Sequence, residues 1–172
     1  MEDTKYVIPI LKEILAINPA VKVIAAPWTC PKWMKVKSLE ERVPFDSWTS
    51  GHLNPEYYRT YGEYFVKWIQ AFEKEGIKIH AVTPQNEPLN HGNSASLFMG
   101  WEEARDFIKT GLGPASKKPE LLQRFMFSTI TTTTTIWPTK KVTLPRFMMM
   151  RKPHSTLQVL PTTIMAVTVP NC

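Results

Sequence analysis

The chain has 172 residues, enough for one domain around one core. Its net charge of +6 is unevenly placed: residues 1–118 hold 15 Lys+Arg and 14 Asp+Glu, whereas residues 119–172 hold 6 against the single acid Glu120. That basic tail lacks aromatic interleaving or a binding motif, so no nucleic-acid partner is expected.

Residues 4–18 have helical spacing in Tyr6, Val7, Ile10, Leu11, Ile14 and Leu15, with Asp3 or Thr4 as cap and Asn18–Pro19 as stop. Val21–Ala26 is a short buried strand. Pro27 to Gly51 is a long Trp-, Pro- and Lys-rich loop of the kind that builds a binding rim. Asn54-Pro55 opens a second helix with the apolar stripe Tyr58, Tyr61, Phe65, Trp68, Ile69 and Phe72, ended by Gly76. Residues 77–83 form the next strand, and Trp101–Lys109 form a third helix closed by Gly111 or Gly113. Strands alternating with helices imply a parallel sheet, and long loops after the strands suggest the rim of a (β/α)8 barrel. Only two strands are expected, so the fold class is α/β, an incomplete fragment of such a barrel.

Cys30 and Cys172 make no disulfide framework, and His52, His80, His91 and His154 show no ligand spacing, so no metal or other cofactor is expected. No apolar run approaches the roughly 18 residues of a membrane span. No basic-then-apolar leader follows Met1, so neither a transmembrane segment nor a signal peptide is expected in this chain.

The segment I-H-A-V-T-P-Q-N-E-P, Ile79 to Pro88, is the most informative stretch. It brings Asn86 and Glu87 into the loop beyond a strand. A carboxylic acid at the mouth of a barrel strand, beside an amide, is how many retaining glycosidases present their proton donor. The bland alternative is a loop carboxylate without chemistry.

Several further blocks stand in order around it: D-T-K-Y-V-I-P-I-L-K-E-I-L, V-I-A-A-P-W-T-C-P-K-W-M-K, Y-G-E-Y-F-V-K-W-I-Q-A-F and W-E-E-A-R-D-F-I-K-T-G-L-G-P. With these, residues 2–118 resemble the glucosylceramidase-like enzymes of glycoside hydrolase family 30. The resemblance corresponds to an internal piece of the catalytic barrel, around strands three and four. It implies Glu87 as general acid/base and Asn86 as hydrogen-bond partner of the sugar hydroxyl beside the anomeric carbon. Trp28 lies where the family has a sugar-facing aromatic. For Asn86 the competing reading is a turn cap, and for Trp28 it is packing beneath the rim.

The implied reaction is hydrolysis of a β-linked glycoside or glycolipid by double displacement, with the two carboxyl groups about 5–5.5 Å apart. Glucosyl, xylosyl and fucosyl specificities all stay open, as does the oligomeric state. Relatives act outside the cytoplasm or in lysosomes, so an exported parent enzyme is expected. In the family the nucleophile comes from a strand far downstream, and nothing after Lys118 matches it. The chain alone is therefore expected to be inactive.

Residues 119–172 change vocabulary: all seven glycines lie at or before Gly113, and twelve threonines fall in the last 54 residues. Thr codons begin AC and Ile codons AT. Read one base earlier, Thr129–Ile136 becomes eight residues drawn from Tyr, His, Asn and Asp, where the family carries a D-H-N-Y-N-Y-D-N-like stretch. Trp137-Pro138 then yields Ala, and Met148-Met149-Met150 yields Asp-Asp. The expected organisation is a partial barrel domain over 1–118 and an out-of-frame, disordered or non-native tail over 119–172.

Overall fold

The structure, a computed structural model, describes residues 3–92, 94–116 and the strand at 164–169. A π-helical turn, Asp3–Val7, leads into α1 (Ile8–Ile17), and β1 is Lys22–Pro27. A 3-10 turn at Lys32–Met34 precedes β2 (Lys35–Val36), which pairs antiparallel with β3 (His52–Leu53). Another 3-10 turn, Pro55–Tyr57, opens α2 (Tyr58–Lys74), and β4 is Ile79–Val82. The helix α3 (Trp101–Phe107) runs into a π-helical turn, Ile108–Leu112, and a last short helix, α4 (Gly113–Ala115). Finally β5 spans Ile164–Val169.

The sheet order is β4-β1-β5, with both neighbours parallel to β1. A parallel pair needs a crossover, and α2 supplies it between β1 and β4. Along β1, Val23, Ala25 and Pro27 are buried while Lys22, Ile24 and Ala26 are half-buried, the two-residue period of a strand with one face packed. All six apolar stripe residues of α2 are buried, as their helical spacing requires. Full burial of side chains of this size contributes about 1.5–3 kcal/mol each. Asn54 caps that helix start, accepting the Glu56 N–H through Oδ1 at 3.1 Å. Gly76 ends it at φ +81°, the left-handed region that side chains resist.

Asp3 does more than begin the first helix. Its Oδ2 accepts the Trp68 indole N–H at 3.2 Å, pinning the first turn to α2. Asn18 stops α1 in extended backbone, and its Oδ1 accepts the Ala20 N–H at 3.0 Å.

Three sequence expectations need correction. The Pro27–Gly51 segment is more than loop: it carries a 3-10 turn and β2, which pairs with β3 at its far end. Gly111 and Gly113 do not close the third helix, which continues through the π turn into α4. Gly111 instead lies against α2, where a Cβ on Gly62 would sit 2.6 Å from the Gly111 carbonyl oxygen. Lastly, two strands were expected, and the structure adds the β2–β3 pair and β5, the third strand of the parallel sheet. Its I-M-A-V-T-V run is rich in β-branched residues and pairs with every residue of β1 from Lys22 to Pro27. Such pairing satisfies the edge that β1 would otherwise leave open. The Thr129–Ile136 run and the rest of 117–163 lie outside the described residues.

Candidate active site

The parallel ladder does not stop with β4. Beyond Val82, the Thr83 N–H donates to the Ala25 carbonyl at 2.9 Å, and the Asn86 N–H donates to the Pro27 carbonyl at 2.9 Å. Between them the Gln85 side-chain amide donates to the Trp28 carbonyl at 2.6 Å. The loop after β4 is thus laced to the end of β1, which brings Trp28 and Asn86 to the same C-terminal end of the sheet. In parallel α/β architectures that end is where ligands bind.

Glu87 follows directly and is half-buried. Its Oε2 accepts from the Asn90 side-chain amide at 2.5 Å, and its backbone carbonyl accepts the Asn90 N–H at 3.0 Å. The carboxylate is thereby held within a turn of its own loop, open enough to meet a ligand. Trp28 is likewise half-buried. The Asn86–Pro27 backbone bond and the Gln85 side-chain amide bring Asn86 and Trp28 to neighbouring strand ends, and Glu87 follows Asn86 in the chain.

Two site features escaped sequence reasoning. Gln85 was one; its amide gives no signal until Trp28 is known to lie beside it. Lys35 was the other. Although charged, it is 1% exposed, and its Nζ donates to the carbonyls of Ser50 (2.8 Å), Ser96 (2.8 Å) and Trp48 (3.2 Å). Burial pushes its pKa down from 10.5 to about 8. Nearby Cys30, also buried, is pushed up to about 12 by the same desolvation. The only sequence hint was a lysine between Met34 and Val36, in a segment read as rim loop.

A cleft of about 710 Å³ lies elsewhere, lined among others by Glu40, His52, Tyr58, Trp101, Glu103 and Asp106. His52 Nδ1 meets Glu103 Oε2 there at 3.0 Å. None of Trp28, Asn86 and Glu87 lines it, so volume and proposed chemistry do not coincide. The carboxylate–amide pair named from the sequence lies at the strand ends instead. Among the described residues no cluster of three or more His, Cys, Asp or Glu could hold a metal ion, and no helix is long and apolar enough to cross a membrane.

Residues 1–124 match the glycosyl hydrolase family 30 TIM-barrel domain. The chain belongs to glycosyl hydrolase family 30. Among solved structures, the endo-β1,6-glucanase BT3312 is 67% identical with a TM-score of 0.71, over 75% of this chain and 28% of that one. The lysosomal acid glucosylceramidase of Mus musculus is 36% identical over 66% of this chain and 22% of its own length. An endo-1,6-β-D-glucanase of Neurospora crassa is 32% identical over 65% of this chain and 23% of its own. This family 30 chain thus spans about a quarter of the length of these relatives. The α/β reading and its barrel architecture hold, with β1, β4 and α2, all within the matched residues, forming part of a (β/α)8 barrel.

Proposed function

We propose that the chain carries the acid/base half of a retaining β-glycosidase centre, with β-1,6-linked glucan as the substrate class. Glu87 donates a proton to the departing glycosidic oxygen while a second carboxylate attacks the anomeric carbon. The resulting carboxylate of Glu87 then takes a proton from the water that releases the sugar. Asn86 hydrogen-bonds the neighbouring sugar hydroxyl, and the Trp28 ring offers an apolar face to the sugar's C–H surface. The observation that carries this reading is the placement of Asn86 and Glu87 immediately beyond β4, laced to Pro27 and Trp28 at the end of β1.

Glucosylceramide is the second reading for the substrate, favoured by the name of the mouse relative. The 67% identity to an endo-β1,6-glucanase, against 36% to the glucosylceramidase, supports the glucan. The mouse relative's lysosomal name supports an exported parent enzyme. The nucleophile belongs to a part of the barrel beyond residues 1–118, so the 172-residue chain binds sugar without turning it over. The shift in composition after Lys118 supports a lost base near the Lys118–Pro119 codons.

The test compares β-1,6-glucan hydrolysis by this chain and by the product of the same gene with that base restored and the downstream frame included. The restored enzyme should release product with net retention, and the 172-residue chain none. In the restored enzyme Glu87→Gln should cost roughly 10²–10⁴-fold on glucan. The loss of glycosylation rate should be far smaller on a 2,4-dinitrophenyl β-glucoside, whose leaving group needs no proton. Turnover by the short chain, or equal losses on both substrates, would contradict the assignment.

A further inference from the structure

Lys35 is a buried ammonium whose three hydrogens meet three backbone carbonyls, those of Trp48, Ser50 and Ser96. Among the described residues no ion pair gives it a carboxylate partner. Dipoles alone compensate the charge, an expensive arrangement for a position that Met or Leu could fill. What the charge accomplishes is shown by the segments it joins. Ser50 and Trp48 belong to the rim segment leading into β3, and Ser96 belongs to the segment that follows the Glu87 loop.

The same two segments are stitched by three further hydrogen bonds, and a fourth continues to the Glu87 loop. The Ser50 N–H donates to Ser96 Oγ at 2.8 Å, and the Ser96 N–H to the Trp48 carbonyl at 2.9 Å. The Phe98 N–H donates to the Gly51 carbonyl at 3.0 Å, where His52 and Phe98 also form a parallel bridge. One residue on, the Met99 N–H donates to the Pro88 carbonyl at 2.7 Å, directly beside Glu87. A continuous hydrogen-bonded path therefore runs from the Lys35 ammonium through Ser96–Met99 to the residue after the carboxylate. On its other side the Glu87 loop is tied to β1 through Asn86 and Pro27. The loop is held at both ends, and Lys35 is the centre of one of them.

We propose that Lys35 is a positioning residue for the acid/base loop, fixing the 96–99 segment and through Pro88 the aim of Glu87. The proposal rests on the reading of Glu87 as the acid/base. It acts without touching substrate, by converging three carbonyls from two segments onto one ammonium. A purely global stabiliser would loosen the whole chain when removed; a positioning group loosens one path.

The experiment is amide hydrogen exchange, with the Glu87 side-chain carboxyl carbon followed by NMR, on the 172-residue chain and its Lys35→Met variant at pH 6.5. Exchange at Ser96, Phe98 and Met99 should accelerate about tenfold or more while amides in α2 keep their wild-type protection. The Glu87 carboxyl signal should shift as its loop relaxes. Uniform acceleration that includes α2, or unchanged exchange at 96–99, would overturn the proposal, as would an unmoved Glu87 signal. Should Lys35→Met fail to fold, Ser96→Ala, which removes only the acceptor of the Ser50 N–H, must show the same pattern at smaller amplitude. Neither readout needs turnover. A failed glycosidase reading would appear as Glu87→Gln having no effect on the frame-restored enzyme with these shifts intact, whereas failure here leaves Glu87 unmoved.

Discussion

Replacing Gly62 by Ala sets two opposing effects of known size against each other. Ala is favoured over Gly inside a helix by about 1 kcal/mol, so propensity alone predicts a more stable protein. The added Cβ, however, would sit 2.6 Å from the Gly111 carbonyl oxygen and 2.8 Å from its carbon, about 0.8 Å short of the 3.4 Å where ordinary contact begins. Both atoms are backbone, so no rotamer change relieves the clash, and the π turn must move away from α2. A shift of that size forfeits a quarter to a half of the dispersion energy at the surrounding contacts. Phe107, wholly buried and stacked on Tyr61 with centroids 5.4 Å apart, packs at this crossing. Overpacking of this kind costs about 1–3 kcal/mol, and backbone against backbone belongs at the upper end. The net expectation is a loss of about 1–2 kcal/mol, seen in thermal denaturation as a drop of roughly 2–8 °C. Thr60→Ala, on the exposed side of the same helix, carries the propensity gain without the contact and should be neutral or slightly stabilising. A Gly62→Ala protein melting at or above the wild-type temperature would refute the close-crossing argument.

Asn54→Ala should lower the urea midpoint by an amount equivalent to about 1 kcal/mol, because the Glu56 N–H loses its side-chain acceptor; Asn54→Asp should retain the stability. Stability between pH 8 and 10 should follow the opposed shifts of Lys35 and Cys30, with Tyr58 and Tyr61 joining above 10. Lys35 titrates at about 8 in the fold against 10.5 unfolded, so from pH 8 to 9 the unfolded chain binds more protons and stability rises. Cys30 titrates at about 12 in the fold against 9.0, so the two cancel from 9 to 10; above 10 stability falls, as burial also holds the Tyr58 and Tyr61 hydroxyls protonated. Urea midpoints across this range should rise, level and fall for the wild type. In Cys30→Ala the rise should continue to about pH 10, and the fall above it, left to the buried Tyr58 and Tyr61 hydroxyls, should be shallower. A wild-type profile identical to that of the variant would remove the buried thiol from the argument.

The second helix was legible in the sequence because its cause is local. A 3.6-residue period puts Tyr58, Tyr61, Phe65, Trp68, Ile69 and Phe72 on one face, and any such stripe must find a core. Its ends were equally legible, since Asn54 and Gly76 act on backbone within their own turns. The order of strands and helices announced the parallel sheet, and the blocks around N-E-P pointed to family 30 before any coordinates. Glu87, Asn86 and Trp28 were therefore named as candidates from sequence alone.

Tertiary structure decided what those candidates touch. Lys35 looked like a rim lysine because its three acceptors lie 13, 15 and 61 residues away and are carbonyls, which no residue type advertises. Gly111 looked like a helix stop, since a glycine needed for close approach and one needed for a left-handed turn read alike until the facing helix is in place. The strand at 164–169 likewise took its meaning from pairing with the open edge of β1, a backbone requirement that leaves little trace in side chains. Local propensity and periodicity are written along the chain. Convergence of distant carbonyls, contact between backbones and the partner of a strand edge exist only once the chain has folded onto itself.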